Sequence, residues 1–165
     1  MEIEEKIDHF CEFLEKSKDD RKVMADLRRG LSPGTAHYAW QYLARPPYNF
    51  LNNKREHIVF QTLAAAFALH QNNHTSMNVG HVCRALAFGQ GKGEEALKSF
   101  DGRFRRLLSS DMVDAICERV PSIVKAAAQR NIGIDFRQLG RDLWYWSNSS
   151  PVKTRWASAY WGGEE

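Results

Sequence analysis

The sequence predicts an all-α protein of eight to nine helices. Apolar side chains recur at helical spacing through most of the 165 residues, and no run alternates as a half-buried strand would. Apolar residues make up 43% of the chain and aromatic residues 12%, which is enough to build a real core. We expect two packed helical bundles, over residues 1–74 and 75–165, with a division near 72–77 that still allows one compact unit.

The first two predicted helices are amphipathic. Residues 3–16 and residues 19–29 each present one apolar stripe, and Gly30 follows the second stripe. Glycine after the last periodic residue is a common helix end. These segments therefore predict two helices that bury one face each.

The next two helices complete the N-terminal half. One is predicted to begin after Ser32, with Pro33 near its first turn, and to end at the proline pair 46–47. The other lies within residues 53–71 and is apolar on most sides after its first turn. A helix that is apolar all round is typical of a buried position, so we expect this one at the centre of the core.

The C-terminal half contains five predicted helices, over residues 78–88, 94–110, 111–131, 134–146 and 150–161. Pro121 predicts a break or kink in the third of these, since proline lacks an N–H and crowds the preceding turn. Asp135 and Ser150 are predicted N-caps of the last two, and Pro151 suits the first helical position.

The charge of the chain is unevenly distributed. The net charge is only +3, but the first 20 residues carry −5 and residues 21–163 carry +10. Such asymmetry favours a polyanionic partner, with an ordinary solvated surface as the alternative. No segment approaches the ~20 apolar residues of a membrane span, and the acidic N-terminus lacks the basic start of a signal peptide. We therefore expect a cytoplasmic protein that does not contact a membrane.

The residues that could carry chemistry form no known pattern. The three cysteines are far apart, which predicts reduced and packed thiols. His70, His74, His81 and Cys83 match no common zinc-site spacing, so satisfied or solvated histidines are the better interpretation. The glycine-rich segment 88–93 departs from the Walker phosphate loop. We expect no catalytic residue, no cofactor, no metal and no small-molecule substrate.

Six aromatic residues gather near the C-terminus: Trp144, Tyr145, Trp146, Trp156, Tyr160 and Trp161. Exposed rings at such positions would stack on nucleobases. Large aromatics at helical spacing more often fill a core, and Trp156 and Tyr160 stand one turn apart. We expect most of them to seal the C-terminal helix onto the bundle.

The segment 100–111, FDGRFRRLLSSD, combines an apolar stripe with a broad basic surface. Arg106 lies nearly opposite the stripe, Arg103 and Arg105 flank it, and Lys98 lies close in angle to Arg105. Asp101 is placed to pair with Arg105 at i, i+4, but Arg103 and Arg106 have no acid within one turn. The arginine fork suits phosphate, so this surface faces either water or an anion.

Two further basic pairs stand at predicted helix N-termini, where positive charge is disfavoured by up to ~1 kcal/mol. They are Lys54 with Arg55, and Lys153 with Arg155. Local rules tend to be broken at functional sites, and an external phosphate would relieve the repulsion. Glu56 offers partial compensation for the first pair.

The order of several motifs resembles one known family. They are ADLRRGLSPGTAHYAWQYLA, FQTLAAAFALHQ, NVGHVCRALAF, GRFRRLLSSD and IDFRQLGRDLWYWSNSSPVKTRWASAYW. In this order, over roughly residues 20–161, the chain is similar to the CasB family, the small subunit of the type I-E CRISPR Cascade surveillance complex.

The resemblance implies a non-catalytic helical subunit that stabilises the target and displaced DNA strands of the R-loop through a basic face. Implied partners are single- and double-stranded DNA, the crRNA-bound backbone subunits, the large subunit and a second copy of the chain. The basic positions that match the family are Arg28, Arg29, Arg55, Arg84, Arg103 and Arg106, with Arg119, Arg130 and Arg141 in the C-terminal half. Lys54, Lys98 and Arg105 join this candidate interface from the charge pattern alone. The alternative is a helical adaptor whose basic face binds an acidic protein subunit.

Overall fold

The computed structural model describes residues 2–89 and 93–163. Over these residues the protein is all-α, as predicted, with an isolated parallel bridge between Asn73 and Ile134 and no strand. Nine α-helices are present in the described ranges: α1 (Ile3–Ser17), α2 (Arg21–Arg28), α3 (His37–Leu43), α4 (Lys54–Leu69), α5 (Val79–Phe88), α6 (Gly93–Leu108), α7 (Val113–Gln129), α8 (Phe136–Trp144) and α9 (Pro151–Gly162). Two short 3-10 helices cover Arg29–Leu31 and Phe50–Asn52.

Polar side chains begin several of these helices. Asp135 accepts a hydrogen bond from the backbone N–H of Gln138, and Ser150 accepts one from Val152, so both predicted N-caps are confirmed. Asn53 does the same for α4. Each cap satisfies one of the backbone donors that the first turn of a helix leaves unpaired.

The start of α3 differs from the prediction. Residues 33–36 form a turn, and the helix begins at His37 rather than after Ser32. The Thr35 backbone N–H donates to the Ser32 carbonyl, and the Thr35 hydroxyl donates to the carbonyl of Arg29. This local bonding competes with the helix, because threonine side chains offer the backbone alternative partners.

Pro121 does not break its helix. The segment is a single helix, α7, that runs from Val113 to Gln129 with Pro121 inside it. Buried side chains lie on both sides of the proline, including Val120 and Ile123. Packing on both sides supports the continuous helix against the loss of one backbone hydrogen bond. The prediction of a break is therefore wrong.

The predicted central helix is central. Nearly every residue of α4 from Val59 to Ala68 is buried, and α4 packs against α2, α7 and α8. One buried hydrophobic cluster contains residues from both predicted bundles. Helix α4 of the first predicted bundle also packs against α7 and α8 of the second. The division near 72–77 stays a prediction.

The C-terminal aromatics are largely core, as expected. Trp146, Trp156 and Tyr160 are buried, while Tyr145 and Trp161 remain exposed. The Trp156 indole N–H donates to Asp142 at 2.9 Å. Burial raises the pKa of that carboxyl, although the donors around it oppose the shift.

Helices α5 and α9 approach each other very closely. A Cβ added to Gly80 would lie 2.1 Å from the backbone carbonyl oxygen of Trp156, so only glycine fits there. Helix α6 packs against α5 and α7. This arrangement holds α6 on the outside of the bundle. None of the described helices is long and apolar enough to cross a membrane.

Candidate nucleic-acid interface

Helix α6 divides into a buried stripe and a basic surface, as its sequence predicts. Phe100, Phe104 and Leu107 are buried, and Leu108 is partly buried. The four cations are all exposed: Lys98, Arg103, Arg105 and Arg106. The helix therefore presents its positive charge to solvent.

No cation of α6 forms an ion pair with a described residue. The predicted pairing of Asp101 with Arg105 does not occur. The Asp101 carboxylate instead accepts hydrogen bonds from the Tyr160 hydroxyl at 3.0 Å and the Trp161 indole N–H at 3.2 Å. The Asp101 carboxylate therefore binds aromatic donors of α9 and does not form the expected ion pair with Arg105.

The basic surface of α6 extends toward two neighbouring helices. On one side, the Arg103 guanidinium donates to the Ser122 carbonyl of α7 at 3.3 Å. On the other, the Arg105 guanidinium lies 4.8 Å from the centre of the Trp161 ring of α9. The side chains of Lys98 and Arg106 make no hydrogen bond or ion pair with any described residue. These two are the freest cations of the helix.

Five of the other candidate arginines share one structural feature, a hydrogen bond to a carbonyl in the last turn of a helix. They are Arg28 to Ala68 of α4 (3.1 Å), Arg84 to Tyr160 of α9 (2.7 Å), Arg119 to Arg106 of α6 (2.8 Å), Arg130 to Leu86 of α5 (3.3 Å) and Arg55 to Trp144 of α8. The last carbonyls of a helix lack intrahelical partners and carry partial negative charge. Each of these arginines therefore links its own helix to the C-terminal end of another helix. Only the guanidinium N–H groups not used in these bonds are left for a ligand.

The remaining candidates divide between paired and unpaired residues. Arg29 pairs with Asp26 at 3.2 Å, and Arg141 lies 3.7 Å from Asp8 of the acidic helix α1. Lys54 is exposed at the start of α4 and contacts no described acid. Sequence reasoning missed Arg137, which joins α8 to Asp8 and Glu15 of α1. Its only signal was the acidic composition of a helix 120 residues or more earlier in the chain.

His70 and His81 make hydrogen bonds within the fold, and the three cysteines are buried. The His70 ring bonds to the Ile132 carbonyl, and the His81 ring accepts from the Asn78 N–H in a capping box. Burial raises the pKa of the Cys11 and Cys117 thiols to about 12, and it raises that of Cys83 as well. Among residues 2–89 and 93–163, no His, Cys, Asp or Glu cluster could hold a metal ion. Part of the glycine-rich segment, residues 90–92, lies outside the described residues.

Comparison with known proteins identifies the family. The model of the CRISPR-associated protein Cse2 family matches residues 23–161. The chain therefore belongs to the Cse2 family of CRISPR-associated proteins, and the resemblance to CasB is confirmed. No curated protein sequence matches it.

Solved structures share this fold over nearly the whole chain. CasB from Thermus thermophilus is 25% identical, with a TM-score of 0.72 over 94% of this chain and 97% of that chain. CasB from Thermobifida fusca is 18% identical, with a TM-score of 0.67 over 96% and 97%. A chain of a CRISPR RNA-guided surveillance complex is 20% identical, with a TM-score of 0.71 over 96% and 93%.

Proposed function

We propose that the protein is a non-catalytic, nucleic-acid-binding subunit of a type I-E CRISPR Cascade surveillance complex. Its role is to stabilise the target and displaced DNA strands of the R-loop through a basic face centred on α6. Family membership and the similarity to a chain of an RNA-guided surveillance complex support this role. The observation that carries it is the exposed, unpaired charge of Lys98, Arg103, Arg105 and Arg106.

Phosphate is the ligand that best fits this surface. Arginine donates two parallel hydrogen bonds to phosphate oxygens, and a row of cations gains affinity by releasing counterions from the nucleic acid. Phosphate contacts carry no sequence information, which suits a complex in which guide pairing reads the sequence. The proposed partners are single- and double-stranded DNA, the crRNA-bound backbone subunits, the large subunit and a second copy of the chain.

A protein-only adaptor is the second candidate function. Its support is the exposed apolar surface near α3, where Leu31, Tyr38 and Trp40 are each about two-fifths exposed. Aromatic residues are enriched at protein interfaces, and the basic face would then bind an acidic subunit. Both functions use the same unpaired cations, so nucleic-acid affinity separates them.

The test is the salt dependence of binding by the purified full-length protein. A random-sequence, single-stranded oligonucleotide is titrated at several salt concentrations, and a duplex of the same sequence serves for comparison. Neutralising about five phosphates would give a log–log slope near −3.5 for the single strand, at about 0.7 per contact. Affinity that is flat between low and physiological salt would favour the adaptor.

A further inference from the structure

Asp101, Arg105 and Trp161 form a small arrangement between α6 and α9. The Asp101 Oδ1 atom accepts from the Trp161 indole N–H at 3.2 Å and from the Tyr160 hydroxyl at 3.0 Å. The Arg105 guanidinium carbon lies 4.8 Å from the centre of the Trp161 ring. One indole therefore contacts both the acid through its N–H and the arginine through its face.

Asp101 and Arg105 are four residues apart on α6, a spacing at which opposite charges are neighbours. An acid four residues before an arginine lies beside it on the helix surface, and such a pair is weakly stabilising. Here Asp101 and Arg105 have that spacing but no ion pair. The Trp161 indole offers a hydrogen bond to the acid and a cation–π contact to the arginine, and the two charges stay apart.

The position of Arg105 over the Trp161 ring leaves its guanidinium able to bind an anion. A cation–π contact uses the charge of the guanidinium and needs no hydrogen-bond acceptor, so it does not consume the N–H donors. Since Arg105 is exposed and makes no hydrogen bond with a described residue, those donors remain available to an incoming anion. The cation–π contact also limits the freedom of the side chain, which lowers the entropy lost on binding.

Arg29 provides a contrast within the same chain. Its guanidinium also lies on an aromatic ring, 4.5 Å from the centre of Tyr38, and it also has an acid one turn earlier. In this case the acid, Asp26, does pair with the arginine at 3.2 Å. The Tyr38 hydroxyl makes no hydrogen bond with Asp26. The Tyr42 hydroxyl does donate to Asp26, at the Oδ2 atom and 2.8 Å, and Asp26 still pairs with Arg29 through Oδ1. An aromatic ring alone therefore does not prevent neutralisation.

We infer that Trp161 is a positioning residue that keeps Arg105 free to bind a backbone phosphate, by holding Asp101 away from it and supporting the guanidinium on its ring. This inference rests on the proposed function. It assigns a role to two residues outside the basic set, Trp161 and Asp101. Loss of the indole would let Asp101 pair with Arg105 and would remove one phosphate contact.

The test compares salt slopes for single-stranded DNA among full-length variants. Trp161→Leu is expected to lower the slope by about 0.7, as Arg105→Ala does, because each removes about one phosphate contact. At 0.1 M salt this corresponds to about a fivefold loss of affinity, by the same relation. Adding Asp101→Asn to Trp161→Leu is expected to restore the slope, since asparagine cannot neutralise Arg105. Asp101→Asn alone is the matched control.

The outcomes separate this inference from the proposed function. A flat wild-type titration would overturn the proposed function and, with it, this inference. The role of Trp161 would be overturned if Arg105→Ala reduced the slope and Trp161→Leu did not. It would also be overturned if the slope of Trp161→Leu stayed low after Asp101→Asn was added to it. A wild-type slope that Arg105→Ala leaves unchanged would do the same, while the proposed function stands. If Trp161→Leu fails to fold, Trp161→Phe, which keeps a ring but loses the N–H, enters the same comparison with the same expected loss and rescue.

Discussion

The guanidinium of Arg119, on α7, donates a 2.8 Å hydrogen bond to the backbone carbonyl of Arg106, in the last turn of α6. It also reaches the hydroxyls of Ser110 at 2.9 Å and Ser109 at 3.3 Å. The side chain of Arg106 itself extends into solvent. Two arginines with the same predicted role therefore differ physically, because one anchors a helix end and the other carries free charge.

The first prediction concerns this difference. Arg119→Ala should lower the free energy of unfolding by about 1–2 kcal/mol, because it leaves the buried Ser110 hydroxyl without its donor and leaves the Arg106 carbonyl with the Ser109 hydroxyl as its remaining side-chain donor. For a chain of this length that corresponds to a melting temperature lower by about 3–6 °C. Arg106→Ala is the control and should stay within about 0.5 kcal/mol. Equal melting temperatures for the two variants would contradict this account.

The second prediction concerns the basic surface of α6. The double variant Arg103→Ala with Arg106→Ala should melt almost as the wild type does, because the apolar stripe is intact. Its salt slope for single-stranded DNA should fall by about 1.4, for two lost phosphate contacts. R-loops held by complexes that contain it should dissociate faster, and by a similar factor for unrelated matched targets. An unchanged melt with an unchanged R-loop lifetime would mean that neither arginine contacts DNA.

The third prediction compares two helical glycines. Gly80→Ala would drive a methyl group to within 2.1 Å of the Trp156 carbonyl oxygen, so α5 and α9 would have to separate. We expect a loss of about 3 kcal/mol or more, in the range of severe core overpacking. Gly102→Ala, on the exposed face of α6, meets nothing within 4 Å and should stabilise the protein by about 0.5–1 kcal/mol. Chemical denaturation measures both, and a mild effect at Gly80 would refute the close approach.

The fourth prediction concerns the hydrogen bond from the Tyr42 hydroxyl to Asp26, at 2.8 Å. Partial burial and the acceptor Asp26 raise the pKa of Tyr42 to about 12, and the donors Lys22 and Tyr42 lower the pKa of Asp26. A raised tyrosine pKa contributes stability that is complete below the unfolded value of about 10 and is lost as pH rises toward 12.

Tyr42→Phe should therefore cost about 1–2 kcal/mol near neutral pH, as expected for a hydrogen bond to a charged group. The stability difference from the wild type should shrink between pH 10 and 12. Denaturation curves across pH give the difference, and phenolate absorbance follows the titration. A difference that stayed constant through this range would show that Tyr42 does not ionise there on unfolding.

Local signals predicted most of the helices but not every boundary. The N-caps Asp135 and Ser150 were predictable because a capping side chain bonds to a backbone N–H only two or three residues later. The start of α3 was not, since the turn at residues 33–36 depends on a threonine hydroxyl that reaches back to Arg29. A break at Pro121 was wrongly predicted because the packing that supports a continuous helix on both sides of it comes from elsewhere in the chain.

The sequence by itself determined the helical class, the buried stripe of α6 and the excess of positive charge after residue 20. These features follow from composition and from a 3.6-residue period, which depend on the local sequence and not on contacts with distant residues. The tertiary structure decided which arginines are free. Arg28, Arg55, Arg84, Arg119 and Arg130 bind helix-end carbonyls that lie 13 to 89 residues away. Asp101 binds donors 59 and 60 residues away rather than the arginine one turn along its own helix. A hydrogen bond forms between groups that the fold brings to about 3 Å. Separation along the sequence predicts such proximity only for residues within one helical turn of each other.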